Sequence, residues 1–322
     1  MRQDYSAQPD ARRTSGIAFN QSHRFNPRVQ FRKVTLAGVG LLGGSLGLAL
    51  KQKGLARKVE GLVRRTSSIT ECARLGVVDH ATRDPLRAAE DADLIVLCTP
   101  LARMREVLDQ MMPVIQPGAL ITDVGSVKQT VVRELEPIAA AAGAHFVGSH
   151  PMAGAEKTGP SSARADLFAG AVCVVTPTPH TAPAALERIE QLWRDLGANP
   201  LRLRPELHDE FVSRASHLPH VVAAELVNYV LSPMHPIDQR SLCATGFRDT
   251  TRVASSSPEI WRDIVLANRD NLIRALGVFI EGLDEFRHTL ESRDAGAILE
   301  FFESARARRE QWSQRNSLCS TE

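Results

Sequence analysis

Aromatic side chains are scarce in this chain. Phe, Trp and Tyr together make up 5% of 322 residues. That leaves little to stack bases on an exposed sheet. Cysteines are few as well. Cys72, Cys98, Cys173, Cys243 and Cys319 are odd in number, scattered, and without C-x-x-C spacing. Neither a disulfide framework nor a metal site is expected from that pattern, and reduced thiols of a cytoplasmic protein are. An excess of charge is missing too: the formal net charge is +2, so no nucleic-acid partner is implied. No apolar run approaches the roughly 20 residues of a membrane span, so no membrane partner is expected. The first 30 residues hold no apolar core of a secretory signal. Asp4 and Asp10, and the absence of an amphipathic pattern, argue against a transit peptide there. Residues 1–30 and 313–322 are expected to be tails.

The remaining chain alternates short apolar runs with helical patterns. Strands are predicted at 32–39, 59–63, 93–98, 119–124, 145–148, 171–176 and 199–203. Helices are predicted at 46–53, 67–75, 103–112, 127–142 and 184–196. This alternation gives βαβ units and a mostly parallel sheet. After Pro205 the character changes. Residues 206–231, 258–287 and 292–312 all read as helices, with no strand pattern between them. Leu272, Leu276, Phe279, Leu283 and Phe286 recur at spacings of three and four, an apolar stripe. Such a stripe buries either within the chain or against a partner subunit. The expected division is 31–204 and 205–312.

Gly38-Val39-Gly40-Leu41-Leu42-Gly43 matches G-x-G-x-x-G between a predicted strand and a predicted helix. In that context Gly38 permits a tight turn, Gly40 admits a pyrophosphate, and Gly43 allows close helix–strand packing. The fold class is therefore α/β: an N-terminal Rossmann-type dinucleotide-binding domain, then an all-helical C-terminal domain. Leu41 and Leu42 lie within that turn and are expected against the cofactor. Thr99 and Pro100 close the strand at 93–98, beside the same cofactor. An acid at the end of the second strand would select NAD. Here Val63 is followed by Arg64, Arg65 and Thr66. Two guanidiniums suit a 2′-phosphate, which favours NADP over NAD.

Four more motifs carry chemistry. They are Asp123-Val124-Gly125-Ser126-Val127-Lys128, Gly148-Ser149-His150-Pro151-Met152-Ala153-Gly154, Ser216-His217-Leu218-Pro219-His220, and Phe247-Arg248-Asp249-Thr250-Thr251-Arg252 followed by Trp261. A histidine just past a strand and beside a nicotinamide can take a proton from an alcohol while hydride leaves the same carbon. With the glycine turn and in this order, the motifs resemble the prephenate and arogenate (cyclohexadienyl) dehydrogenase family of tyrosine biosynthesis, from about residue 33 to about 290.

The resemblance implies oxidative decarboxylation of a small cyclohexadienol that bears a ring carboxylate. It also implies a homodimer formed through the C-terminal helices, a dimerisation domain. His150 matches the family's catalytic base, and Ser126 the serine that orients it and touches the nicotinamide. Arg252 matches the arginine that binds a substrate carboxylate. His220 and Trp261 match positions that bind the substrate side chain. Each residue also has a plain structural reading: His217 as a turn partner, Trp261 as core, Lys128 as a solvated helix residue, and Arg248 with Asp249 as an ion pair.

Prephenate carries a side-chain keto group where arogenate has an ammonium. His220 read as a donor leans toward prephenate, and Glu225 on the same helix is the candidate anion for arogenate. Two other classes compete. A β-hydroxyacid dehydrogenase would need a second-domain lysine, and no lysine follows Lys157. A non-catalytic NADP sensor would not need His150, Ser126 and Arg252 together. No room is expected for a mutase or a ligand-sensing domain, so tyrosine feedback would fall on the active site.

Overall fold

The run Phe31-Arg32-Lys33-Val34-Thr35-Leu36-Ala37 is apolar and β-branched enough to bury on both faces, as a central strand of a parallel sheet must. It is β1 (Phe31–Ala37) of a computed structural model that describes residues 30–155 and 159–319. The expected tail at 1–30 lies, apart from Gln30, outside those residues. After β1 come α1 (Leu41–Gln52), β2 (Ala56–Leu62), α2 (Thr66–Leu75), β3 (His80–Thr82), α3 (Pro85–Ala89), β4 (Leu94–Leu97) and α4 (Leu101–Met111). The sheet continues through β5 (Leu120–Asp123), α5 (Gln129–Ala141), β6 (His145–Pro151), β7 (Val172–Thr176), α6 (Pro183–Asp195) and β8 (Asn199–Arg202).

The strands form one eight-stranded sheet in the order β3-β2-β1-β4-β5-β6-β7-β8. Pairing is parallel throughout, except that β6 and β7 run antiparallel, with His150 opposite Val174. The first six strands have the order of doubly wound dinucleotide-binding folds. Their switch point lies between β1 and β4, where a crevice opens at the carboxyl ends of the strands. One face of the sheet buries Leu46, Leu50, Ile189 and Trp193 from α1 and α6. The other buries Met104, Leu108 and Leu135 from α4 and α5.

From Pro205 onward the described residues form helices and turns: α7 (Pro205–Val212), a π-helical turn (Ser213–His217), α8 (Leu218–Val230), α9 (Thr245–Thr251), α10 (Pro258–Ala267), α11 (Arg269–Glu291) and α12 (Ala295–Cys319). The single helix expected at 206–231 is thus interrupted. Pro219 has no N–H to give the carbonyl of Ala215, and the wide turn absorbs the misfit. The helix expected at 258–287 breaks at Asn268, whose φ of −113° and ψ of 28° are not helical. Helix α12 runs past Trp312, so residues 313–319 are helical rather than a tail. β3, α3 and α9 are too short for their periodicity to show in the sequence.

The apolar stripe of α11 is only partly covered within the chain. Leu272 is buried, while Leu283 is 52% exposed and Phe301, Phe302 and Trp312 of α12 stand in solvent. No helix is long and apolar enough to cross a membrane among the described residues.

The glycine turn depends on close approach. Gly38 has φ +102°, and a Cβ there would sit 2.8 Å from the carbonyl oxygen of Cys98. A Cβ on Gly43 would run into the carbonyl oxygen of Gly38. Both obstacles are backbone, which cannot swing aside. Gly43→Ala is therefore expected to destabilise the protein by about 2–4 kcal/mol and to abolish dinucleotide binding. Thermal melting and cofactor titration check both outcomes, and a wild-type melting curve would refute the packing argument.

Candidate active site

The site begins where α1 starts. Gly40 caps α1 without a side chain, and no acidic residue lies in the first turn. A Cβ built on Gly40 would meet nothing within 4 Å. The backbone at the start of α1 is therefore open to close approach, which suits a phosphate at a helix N-terminus. α4 also begins here, directly after Pro100, and has no acid in its first turn. These features fit a dinucleotide at the switch point. Arg64 and Arg65 lie between β2 and α2 and are exposed. Arg83 donates from Nε to the carbonyl of Arg64 at 3.2 Å, which props that corner.

A cleft of about 620 Å³ connects these elements to the helical half. Gly40, Leu41, Leu42, Thr99, Pro100, Ser126, His150, His220 and Trp261 all line it. Nine of the expected residues thus meet at one place. Gly38 and Gly43 lie beneath it as packing positions. Arg252 does not line it in the single chain. It opens the 3₁₀ turn Arg252–Ser255 and is exposed, while its neighbour Val253 reaches the cleft.

His150 is part of β6 rather than just past it, because the antiparallel pairing with β7 extends the strand to Pro151. The imidazole is 9% exposed. Burial, with His208, Lys128 and His217 nearby, pushes its pKa well below the usual histidine value, so it is neutral at pH 7. Its Nδ1 lies 2.8 Å from His208 Nε2, and His208 Nδ1 lies 2.7 Å from Asp209 Oδ1. Among the described residues His208, not Ser126, is the side chain hydrogen-bonded to His150. Ser126 lines the same cleft without a hydrogen bond to it.

Asp209 does more. Its Oδ1 accepts the backbone N–H of Lys128 at 2.7 Å, and its Oδ2 that of Gln129 at 2.9 Å. It thereby caps α5 from the helical half. Asn268 Nδ2 donates to the Asp209 carbonyl at 2.8 Å and to His217 Nδ1 at 3.1 Å. The break between α10 and α11 places that amide. Lys128 is not solvated: it is fully buried and ion-paired with Asp123. Asp123 also accepts the N–H of Ser149 at 3.1 Å and that of Gly125 at 2.8 Å. The loop bearing Ser126 is thus fastened to β6.

Trp261 is not core. It stacks on His220 with ring centroids 3.7 Å apart, and His217 meets it edge-on at 5.9 Å. The Ser257 hydroxyl caps α10 and so positions Trp261. His217 is buried at the end of the π-helical turn, with its Nδ1 hydrogen-bonded to Asn268. Arg248 and Asp249 do pair, at 3.8 Å, but on the solvent side of α9, where such a pair adds little.

The reading of His220 changes. Its Nδ1 lies 3.0 Å from the Ser216 carbonyl oxygen. A carbonyl only accepts, so Nδ1 carries the hydrogen. Burial lowers the pKa of His220 and favours the neutral form. Nε2 is then an acceptor, not the donor the sequence suggested.

The comparisons agree with this geometry. Residues 46–201 match "Prephenate dehydrogenase, nucleotide-binding domain", and residues 204–304 match "Prephenate dehydrogenase, dimerization domain". The chain belongs to the prephenate dehydrogenase family. A prephenate dehydrogenase of Bacillus subtilis is 35% identical over 276 residues, covering 85% of this chain and 74% of that protein. A cyclohexadienyl dehydrogenase of Zymomonas mobilis is 35% identical over 284 residues, covering 86% and 95%. The Aquifex aeolicus prephenate dehydrogenase, solved with hydroxyphenyl propionate and NAD+, superposes with a TM-score of 0.82 at 32% identity, covering 87% of this chain and 98% of that one. In this family member the glycine turn lies just ahead of the first matched segment.

His217 makes the fold sensitive to acid. Burial holds its pKa at about 4, against about 6.5 in an unfolded chain. Between those values the unfolded chain binds a proton that the folded chain does not. Stability is therefore complete above pH 6.5 and falls as the pH drops toward 4, by roughly 3 kcal/mol from this group. His150 and His208 act in the same direction. Melting temperatures at pH 7 and pH 4.5 should differ accordingly, and His217→Gln should narrow the gap. An unchanged gap in that variant would assign the loss to other groups.

Proposed function

We propose that this chain oxidatively decarboxylates prephenate to 4-hydroxyphenylpyruvate with a nicotinamide cofactor, NADP being favoured over NAD. We further propose that residues 31–204 hold the cofactor. In this reading residues 205–312 complete the substrate site and form a cytoplasmic homodimer through the apolar faces of α11 and α12. One observation carries the reading. A neutral, buried histidine shares a cleft with the glycine turn and with a stacked His220–Trp261 pair contributed by the other half.

Gly40, Leu41, Leu42, Thr99, Pro100 and Ser126 would hold the cofactor. When bound, the nicotinamide supplies a hydride acceptor. His150 accepts the hydroxyl proton of the substrate as the carbinol carbon gives up its hydride. The bond to the ring carboxylate then breaks and carbon dioxide leaves. The electron pair of that bond makes the ring aromatic and places the charge on the oxygen. His150 returns the proton there, so no net proton is released. Arg252 is assigned to a substrate carboxylate, because it adjoins Val253 at the cleft edge and a guanidinium stays charged at any working pH. Arg64 and Arg65 are assigned to the 2′-phosphate of NADP, since no carboxylate stands at the end of β2 to repel it.

A second reading has its own support. The acceptor nitrogen of His220 suits the ammonium of arogenate better than a keto group, which itself only accepts. An arogenate dehydrogenase structure from Synechocystis, 28% identical with a TM-score of 0.74, is compatible with this second reading. Glu225 lies on α8 but does not line the cleft.

Steady-state rates with prephenate and arogenate, each with NAD and NADP, test substrate and cofactor together. The highest kcat/KM is expected with prephenate and NADP, and a clear preference for arogenate would transfer the assignment to the second reading. Arg64→Ala combined with Arg65→Ala should weaken NADP binding at least tenfold, about 1.4 kcal/mol, and leave NAD binding within twofold. In His150→Asn, turnover should fall by about 10²–10⁴-fold while cofactor affinity persists. Normal turnover in that variant would show that His150 is not the base.

A further inference from the structure

We propose that His208 and Asp209 are a positioning pair for His150. They fix the one tautomer that can take a proton from substrate, and they draw off the positive charge that arrives with it. The inference rests on the reading of His150 as the base.

The argument runs from the carboxylate outward. Asp209 already accepts backbone N–H groups at both oxygens, from Lys128 and Gln129. It is an acceptor toward His208 as well, so His208 Nδ1 carries the hydrogen across the 2.7 Å contact. Burial favours the neutral form of His208. A neutral imidazole with hydrogen on Nδ1 has a bare Nε2. That bare nitrogen lies 2.8 Å from His150 Nδ1, which must therefore donate. One choice is left for His150: hydrogen on Nδ1 and a lone pair on Nε2. Without His208, either nitrogen of His150 can hold the proton, and half of the choices give a dead base.

The same chain handles charge. When His150 Nε2 gains the substrate proton, the cation sits close to the Lys128 ammonium, an unfavourable neighbour. The Asp123 carboxylate is already ion-paired with Lys128, so it offers His150 little counter-charge. Asp209 supplies one, two hydrogen bonds away. The Nδ1 hydrogen of His150 can shift toward His208 Nε2 while the Nδ1 hydrogen of His208 shifts toward Asp209. Only N–H and O–H bonds are exchanged, and the shift reverses when His150 returns the proton to the product oxygen. His208 and Asp209 are 0% and 1% exposed, so no water competes for these contacts.

The test uses the full-length enzyme and 15N NMR of labelled histidine. In the wild type, neutral His150 should carry its hydrogen on Nδ1, and finding it on Nε2 would overturn the proposal without any variant. In His208→Leu the hydrogen should redistribute toward Nε2. There kcat should fall about 10²–10³-fold, with KM for prephenate and the dissociation constant of the cofactor within threefold, a split that general loosening of the site would not give. His208→Gln offers an oxygen to the same Nδ1–H, so it should keep the tautomer and restore kcat at least tenfold over leucine. Should the leucine variant not fold, the glutamine variant decides by the same spectrum and by a kcat below wild type. Wild-type kcat in either variant defeats the proposal. The result of His150→Asn separates the two readings. If that variant is inactive and His208→Leu is fully active, His150 remains the base and only the pair is refuted. If His150→Asn is active, the base itself is misassigned.

Discussion

The structure turns on one buried carboxylate. Asp209 belongs to the helical half, yet two of its hydrogen bonds close the first turn of α5 in the nucleotide-binding half. Burying a charge is costly unless every lone pair finds a donor. Here the donors are two backbone N–H groups and an imidazole. Each is itself a group that needs a partner. Helix α5 would otherwise start with orphaned amides at the floor of the cleft. The tautomer of His208, the direction of His150 and the seat of the loop bearing Ser126 all follow from that arrangement. Asn268 seals it by bonding the Asp209 carbonyl.

A second buried pair, Asp123 with Lys128, serves the opposite side of the same loop. Lys128 gives its backbone N–H to Asp209 and its ammonium to Asp123. The segment between β5 and α5 is thus held by two carboxylates from two directions. Dehydrogenases of related architecture that use a lysine base need that amine available. In this chain Lys128, near His150, is engaged by Asp123, and in the proposed reading the imidazole takes the proton.

Much of this was legible in the sequence, for reasons that differ by residue. Gly38 and Gly43 announce themselves because only glycine tolerates the backbone contacts that the turn requires. The mostly parallel sheet follows from the alternation of strands with helices, though its order was not read and β3 was missed. His150 was readable as a candidate base because it lies at a strand end within a recognisable motif. His208 and Asp209 were not, since two adjacent polar residues on a helix read as solvent-facing. Their burial depends on the end of α5, about 80 positions away in the chain. Lys128 was misjudged for the same reason, because pairing with Asp123 requires the loop to fold back. His220 was placed correctly but assigned the wrong polarity, since its tautomer is set by the Ser216 carbonyl, which carries no side-chain signal. The breaks at Ser213–His217 and Asn268 reflect tertiary demands on backbone groups, which helical periodicity does not register. Arg252 was expected in the cleft and stands beside it.

The antiparallel pairing of β6 with β7 has a further consequence. It extends β6 through Pro151 and pairs His150 with Val174 of β7, beyond the stretch that β5 covers. A histidine anchored in a sheet has little backbone freedom of its own. The opposite wall is built from helices and a 3₁₀ turn, which carry His220, Trp261 and Val253. In the proposed reading, proton transfer is seated in the sheet and recognition of the substrate side chain in the helical half.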